Sequence, residues 1–135
     1  KFYSPMFEHM LAAWPAPLRE RLVDYHLRNW RRSLSEAANL KTQVLDEIRA
    51  GGPSPDVPMV VLTAMGIDPF MAPFLPEEYL RTLNDRKAAF YDAFAATVPR
   101  GENRRIADAG HSTLHTDRPK AVVQAIRDVI ELAAG

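Results

Sequence analysis

Between Pro58 and Gly66 the chain runs Met59-Val-Val-Leu-Thr-Ala64, with no charge and no polar alternation. A strand covered on both faces by helices in a parallel sheet reads this way, whereas a half-exposed strand alternates apolar with polar residues. The run is therefore expected to be a buried strand of an α/β fold. A second, short and weakly apolar strand is expected over Arg104 to Asp108, from its place between a helical pattern and a turn. Two strands cannot close a sheet. Such a pair exposes unpaired edges and an open face, so the sequence predicts that these strands complete a larger, mostly parallel sheet supplied largely by other polypeptide.

The remaining patterns are helical. Met6, Phe7, Met10 and Leu11 share helical spacing until Pro15 and Pro17 break it. Pro17 suits the opening turn of a second helix to about Arg32, with Leu18, Leu22 and Tyr25 on one face. Ser33-Leu-Ser-Glu36 matches a capping box, which predicts a third helix ending at Gly51-Gly52-Pro53. After the connector to Pro58 and the first strand, Pro69, Pro73 and Pro76 keep a loop irregular. A helix then spans Glu77 to Thr97, its apolar stripe being Leu80, Leu83, Phe90, Tyr91 and Phe94. Pro119 opens a last helix with Val122, Val123, Ile126, Val129 and Ile130 as its buried stripe, and Asp117 is read as its cap. Residues 1–52 and 53–135 are the two segments expected.

Composition narrows the partners. The 17 basic and 17 acidic residues balance, so no global field favours nucleic acid or an anionic membrane. No apolar run approaches the roughly 18 residues of a membrane span, and the start does not read as a signal peptide. The absence of cysteine excludes disulfides, thiolate metal sites and a cysteine nucleophile. It leaves the compartment open, with a cytoplasmic setting favoured. No cofactor is expected. Lys1 is not an initiator methionine, and Phe2-Tyr-Ser-Pro-Met-Phe7 already reads as packed structure. The expectation is that polypeptide precedes it, through cleavage of a precursor or an upstream stretch left out.

The chemistry concentrates at two strand ends. Asp68 follows the first strand, and His111 lies in Asp108-Ala-Gly-His111-Ser-Thr-Leu-His-Thr-Asp-Arg-Pro119, a turn between strand and helix. The carboxyl ends of neighbouring parallel strands lie on one rim, so side chains 43 positions apart can meet there. A carboxylate accepting the His111 Nδ1 proton would leave Nε2 free to deprotonate a hydroxyl. Each residue alone also has a plainer reading: an aspartate before proline is a common turn former, and Gly-His is a common loop. His115, four residues past His111, lacks the carboxylate ligands and spacing of a metal site. His9 and His26 read as surface or lid histidines, and Asp108 is too near His111 to be the favoured acid.

From Val57 onward the chain resembles the C-terminal part of an α/β-hydrolase. The likeness is carried by Val57-Pro-Met-Val-Val-Leu-Thr-Ala-Met-Gly-Ile-Asp68-Pro and by Ala109-Gly-His111 with the spaced Pro119 and the Val-Val-Gln-Ala-Ile126 helix. That family orders its triad nucleophile, acid, histidine, with the nucleophile on a Gly-x-Ser-x-Gly elbow. The resemblance thus implies Asp68 as acid, His111 as base and a serine upstream of Lys1. No such elbow occurs here, and Ser4, Ser33, Ser35, Ser54 and Ser112 lack its context. It further implies that residues 1 to about 50 form a helical lid, whose Phe2, Met6, Phe7, Met10 and Trp14 either line an apolar pocket or form lid core. Trp14 is carried as a pocket candidate beside Phe70, Met71, Phe74 and Leu114, which flank the two loops.

The resemblance therefore implies a serine-type hydrolase acting on a small apolar carboxylic ester, with the serine on a companion N-terminal chain of the same precursor. Lactonase, amidase, haloperoxidase-like, epoxide hydrolase and dehalogenase activities share this layout, the last two with an aspartate nucleophile. Two further classes stay open: a binding module on a hydrolase scaffold, and an independent helical interaction domain.

Overall fold

The computed structural model describes residues 7, 8, 10 to 40, 43 to 52 and 56 to 134, the Ser33 side chain excepted. Contacts divide the chain into two compact units, Lys1–Ser54 and Pro55–Gly135. No helix among the described residues is long and apolar enough to cross a membrane.

In the first unit Phe7, Glu8 and Met10 are helical, and the Leu11 N–H closes a turn on the Phe7 carbonyl at 3.0 Å. The rest of the expected helix from Pro5, with Met6 and His9, lies outside the described residues, as does Phe2. Helix α1 (Ala16–Leu40) starts on the Pro15 carbonyl, which accepts the N–H groups of Leu18 and Arg19. It runs through Ser33 to Glu36 without a break, contrary to the expected new start there. A capping motif only offers the backbone an alternative. With neither proline nor glycine nearby, and with good helix formers at Arg31, Arg32 and Leu34, the regular ladder continues. His26 is no free surface group: it is half-buried and stacks on Phe7 at 4.6 Å between ring centres, and Leu11 and Val23 are buried in the same unit. Helix α2 (Gln43–Ala50) ends as expected, Gly52 taking a left-handed φ of 76° that a side chain would oppose.

The second unit is α/β. Strands β1 (Met59–Ala64) and β2 (Gly101–Ile106) pair in parallel, Met59 opposite Gly101 and Ala64 opposite Ile106. Helix α3 (Glu77–Ala95) connects them, beginning after Pro76 with Glu77 and Glu78 in the first turn, where acidic groups suit the helix dipole. Beyond β2 come the short α4 (Leu114–Asp117) and α5 (Pro119–Ala134). Side chains alternate faces along a strand. Arg104 pairs with Asp128 of α5, while Arg105 pairs with Asp92 of α3, so the two helices cover opposite faces of the sheet.

Four expectations are corrected. Strand β2 starts at Gly101, three residues before the expected Arg104, and stops at Ile106. Its sequence Gly-Glu-Asn-Arg-Arg-Ile looks hydrophilic, yet the polar groups find partners: Asn103 accepts the Thr63 hydroxyl at 2.6 Å and donates to Asp92 at 2.7 Å. The buried face of α3 is Leu80, Asn84, Ala88 and Ala95, with Phe90 66% exposed and Leu83 and Phe94 also outside. On α5 only Ala125 is buried, and Ile130 is 62% exposed. A sheet two strands wide covers less than the apolar width of either helix. Finally, Asp117 sits inside α4, and the Arg118 carbonyl accepts the first N–H groups of α5.

Candidate functional site

The parallel register carries the chain out of both strands at the same end. Met65 N–H donates to the Ile106 carbonyl at 2.8 Å and Gly66 N–H to the Ala109 carbonyl at 2.9 Å, so the two exits stay together past the strands. Glycine makes this approach possible. A Cβ on Gly66 would stand 2.8 Å from the Ala109 oxygen, and one on Gly110 would stand 2.9 Å from the Asp68 Cα. Backbone meets backbone where the two loops cross.

Asp68 arrives at this crossing 8% exposed. Its Oδ1 accepts the Phe70 N–H at 2.9 Å, the local turn a strand-end aspartate favours. Its Oδ2 accepts the Ser112 N–H at 2.7 Å, across the gap between the loops. Burial pushes the Asp68 carboxyl up, but the Ser112 N–H and hydroxyl, with the N–H groups of Phe70 and Met71, outweigh it and hold it below the usual carboxylate range. Asp68 is thus an ionised, hydrogen-bonded carboxylate at neutral pH.

His111 precedes Ser112, the residue that Asp68 grips. Its side chain is exposed, and it makes no hydrogen bond among the described residues. The expected bond from Nδ1 to Asp68 is absent from this arrangement, and the neighbouring amide takes the carboxylate instead. Thr113 follows, 2% exposed, with its Oγ1 unpartnered among the described residues while its carbonyl accepts Thr116 and Asp117.

Of the pocket candidates, Phe70 and Leu114 are half-buried beside the two loops, whereas Met71 and Phe74 are exposed on the turns after Asp68. Trp14 belongs to the first unit and is exposed there. A hollow of about 480 Å³ in that unit is lined by Arg19, Glu20, Val23 and Asp24, none of them an expected site residue. Asp108 is engaged by Arg118, whose Nε stands 2.7 Å from Oδ1. Among the described residues no three histidine or acidic side chains gather as metal ligands.

Two residues at the crossing were not singled out by sequence reasoning. Asn84 of α3, 8% exposed, donates from Nδ2 to the Met65 carbonyl at 3.1 Å and the Gly66 carbonyl at 2.9 Å. Its Oδ1 accepts Lys87 Nζ at 3.0 Å. Burial lowers the Lys87 pKa, and the negative charge of Asp68 opposes that fall. A signal was available: Asn84 stands four residues from both Leu80 and Ala88 on one helical face, and a polar residue inside an apolar stripe calls for a partner. No family model, curated protein or solved structure matches this chain.

Proposed function

We propose that this chain is the C-terminal part of a serine-type α/β-hydrolase that cleaves small apolar carboxylic esters. Asp68 is the acid and His111 the base, and the serine and oxyanion hole come from a companion N-terminal chain of the same precursor. The observation that carries the reading is the latch: Ser112, next to the histidine, is bound by the Asp68 carboxylate at 2.7 Å at the shared carboxyl rim of two parallel strands.

The open flanks support a companion. Strand β1 pairs only with β2 among the described residues, and beside it an apolar hollow of about 310 Å³ runs along α5 between Val60, Leu62, Ile126 and Ile130. Further strands beside β1 would satisfy its edge and cover this surface. In the reaction, the serine oxygen attacks the ester carbonyl as its proton passes to His111 Nε2. The imidazolium, stabilised by Asp68, returns that proton to the leaving alcohol. Water deprotonated by His111 then attacks the acyl-serine, and the acid leaves as the imidazolium returns the proton to the serine oxygen.

A second reading, a binding module that kept the scaffold without turnover, is favoured by the missing bond between His111 and Asp68. One experiment separates them. The complete protein is treated with a fluorophosphonate probe and assayed on short-chain aryl esters, alongside Asp68→Asn and His111→Ala. Serine labelling with activity falling by about 10³-fold or more in His111→Ala supports hydrolysis. Unchanged activity in His111→Ala, or no labelling at all, removes the serine-hydrolase reading.

A further inference from the structure

Asp68 is delivered by Met65-Gly-Ile, whose Met65 and Gly66 N–H groups donate to the Ile106 and Ala109 carbonyls on the β2 side. What fixes it from the helix side is Asn84, whose amide holds the carbonyls of both Met65 and Gly66, and whose carbonyl oxygen holds the Lys87 ammonium. A side-chain amide that satisfies two strand-end carbonyls and accepts a lysine ammonium uses all its principal hydrogen-bonding capacity at one place. We propose that Asn84 and Lys87 are positioning residues for the Asp68 carboxylate: Asn84 fixes the backbone that presents it, and Lys87 holds a cation within reach of its charge.

The inference takes its functional meaning from the hydrolase reading, where the acid must stay ionised to steady an imidazolium. Lys87 of α3 feels the Asp68 charge, whereas His111, on the turn latched to Asp68, has an exposed side chain, and Asp108 of that segment is occupied by Arg118. Hydrogen bonds from Ser112, Phe70 and Met71 hold the Asp68 carboxyl down, and the Asp68 charge in turn raises Lys87 against the fall that burial causes. The charge coupling is nevertheless reciprocal, because the free energy that one ionisation lends the other is the same seen from either residue.

Carbon-detected NMR titration of the whole protein tests it. In Lys87→Met the Asp68 carboxyl titrates at higher pH than in wild type, and Lys87→Arg, which keeps the charge, brings it back. In Asp68→Asn the Lys87 ammonium loses its proton at lower pH. A flat response at either residue overturns the role given to Lys87. For Asn84→Ala, amide exchange at Ser112 quickens by roughly tenfold while the amides pairing β1 with β2 keep their protection. Equal loosening of both reduces Asn84 to a general packing residue and overturns its part. Neither measurement uses turnover. Absent esterase activity would sink the hydrolase reading and leave this coupling standing, and flat titrations would do the reverse.

Discussion

Around the sheet's carboxyl rim Thr63, Ala64, Asp68, Ala109 and Thr113 are all buried, while on its flanks Phe90, Ile126 and Ile130 stand more than half exposed. The rim is closed by backbone: glycine against backbone, amide against carboxylate, Asn84 against two carbonyls. The flanks are exposed apolar surface. The chain thus builds the surroundings of Asp68 from its own residues and leaves apolar side chains of its helices exposed. A rigid local frame at a functional rim is what preorganisation requires, and apolar flanks are what addition to a sheet requires.

The sharpest way to break this contrast is Gly110→Ala. The added methyl would press on Asp68 Cα and Pro69 Cδ, both 2.9 Å away, and overpacking against backbone costs about 3 kcal/mol. Urea denaturation should show that loss. Little or no change would mean that the crossing is loose. Next comes Asp68→Asn, which sets an amide N–H against the Ser112 or Phe70 donor and costs about 2 kcal/mol. This variant also carries a pH signature. The folded Asp68 lies below its ordinary value of 3.8, so its stabilisation is present above that pH and is lost as pH falls through the lower, folded value. Wild type should lose this share in acid, and Asp68→Asn should not.

Thr113→Val is smaller and of opposite sign. Its buried hydroxyl has no partner among the described residues, so an isosteric methyl should be neutral or stabilise by about 1 kcal/mol, read from thermal unfolding. Destabilisation would reveal a partner for that hydroxyl. Ile130→Ala sits at the bottom, within about 0.5 kcal/mol in the chain alone. If the same substitution weakened assembly with a companion chain, the flank's role as an addition surface would be established.

The two ends of this contrast differed in how far the sequence exposed them. The uncharged run from Met59 made β1 plain and put Asp68 just past its end, and the turn before Pro119 put His111 between a strand and a helix. The start of strand β2 was hidden, since Asn103, Arg104 and Arg105 are satisfied by partners distant in sequence that no local pattern reveals. Helical periodicity found the apolar positions of α3 and α5 but not which of them face the sheet. Phe90 and Ile126 carry the same apolar signal as Leu80, and only the width of the covering layer separates them. The capping box at Ser33 misled because capping chemistry permits a start without enforcing one. That Asp68 would hold Ser112 rather than His111 depends on a fraction of a turn in a loop, below the resolution of any pattern.

Consecutive arginines on β2 settle a matter usually left to greasy residues. Sliding β2 by a single position would turn Arg104 toward α3 and Arg105 toward α5, pulling each guanidinium away from its own aspartate. Charge complementarity therefore chooses the alignment of a strand too hydrophilic to choose it by burial, and the histidine turn that follows inherits its place from that choice.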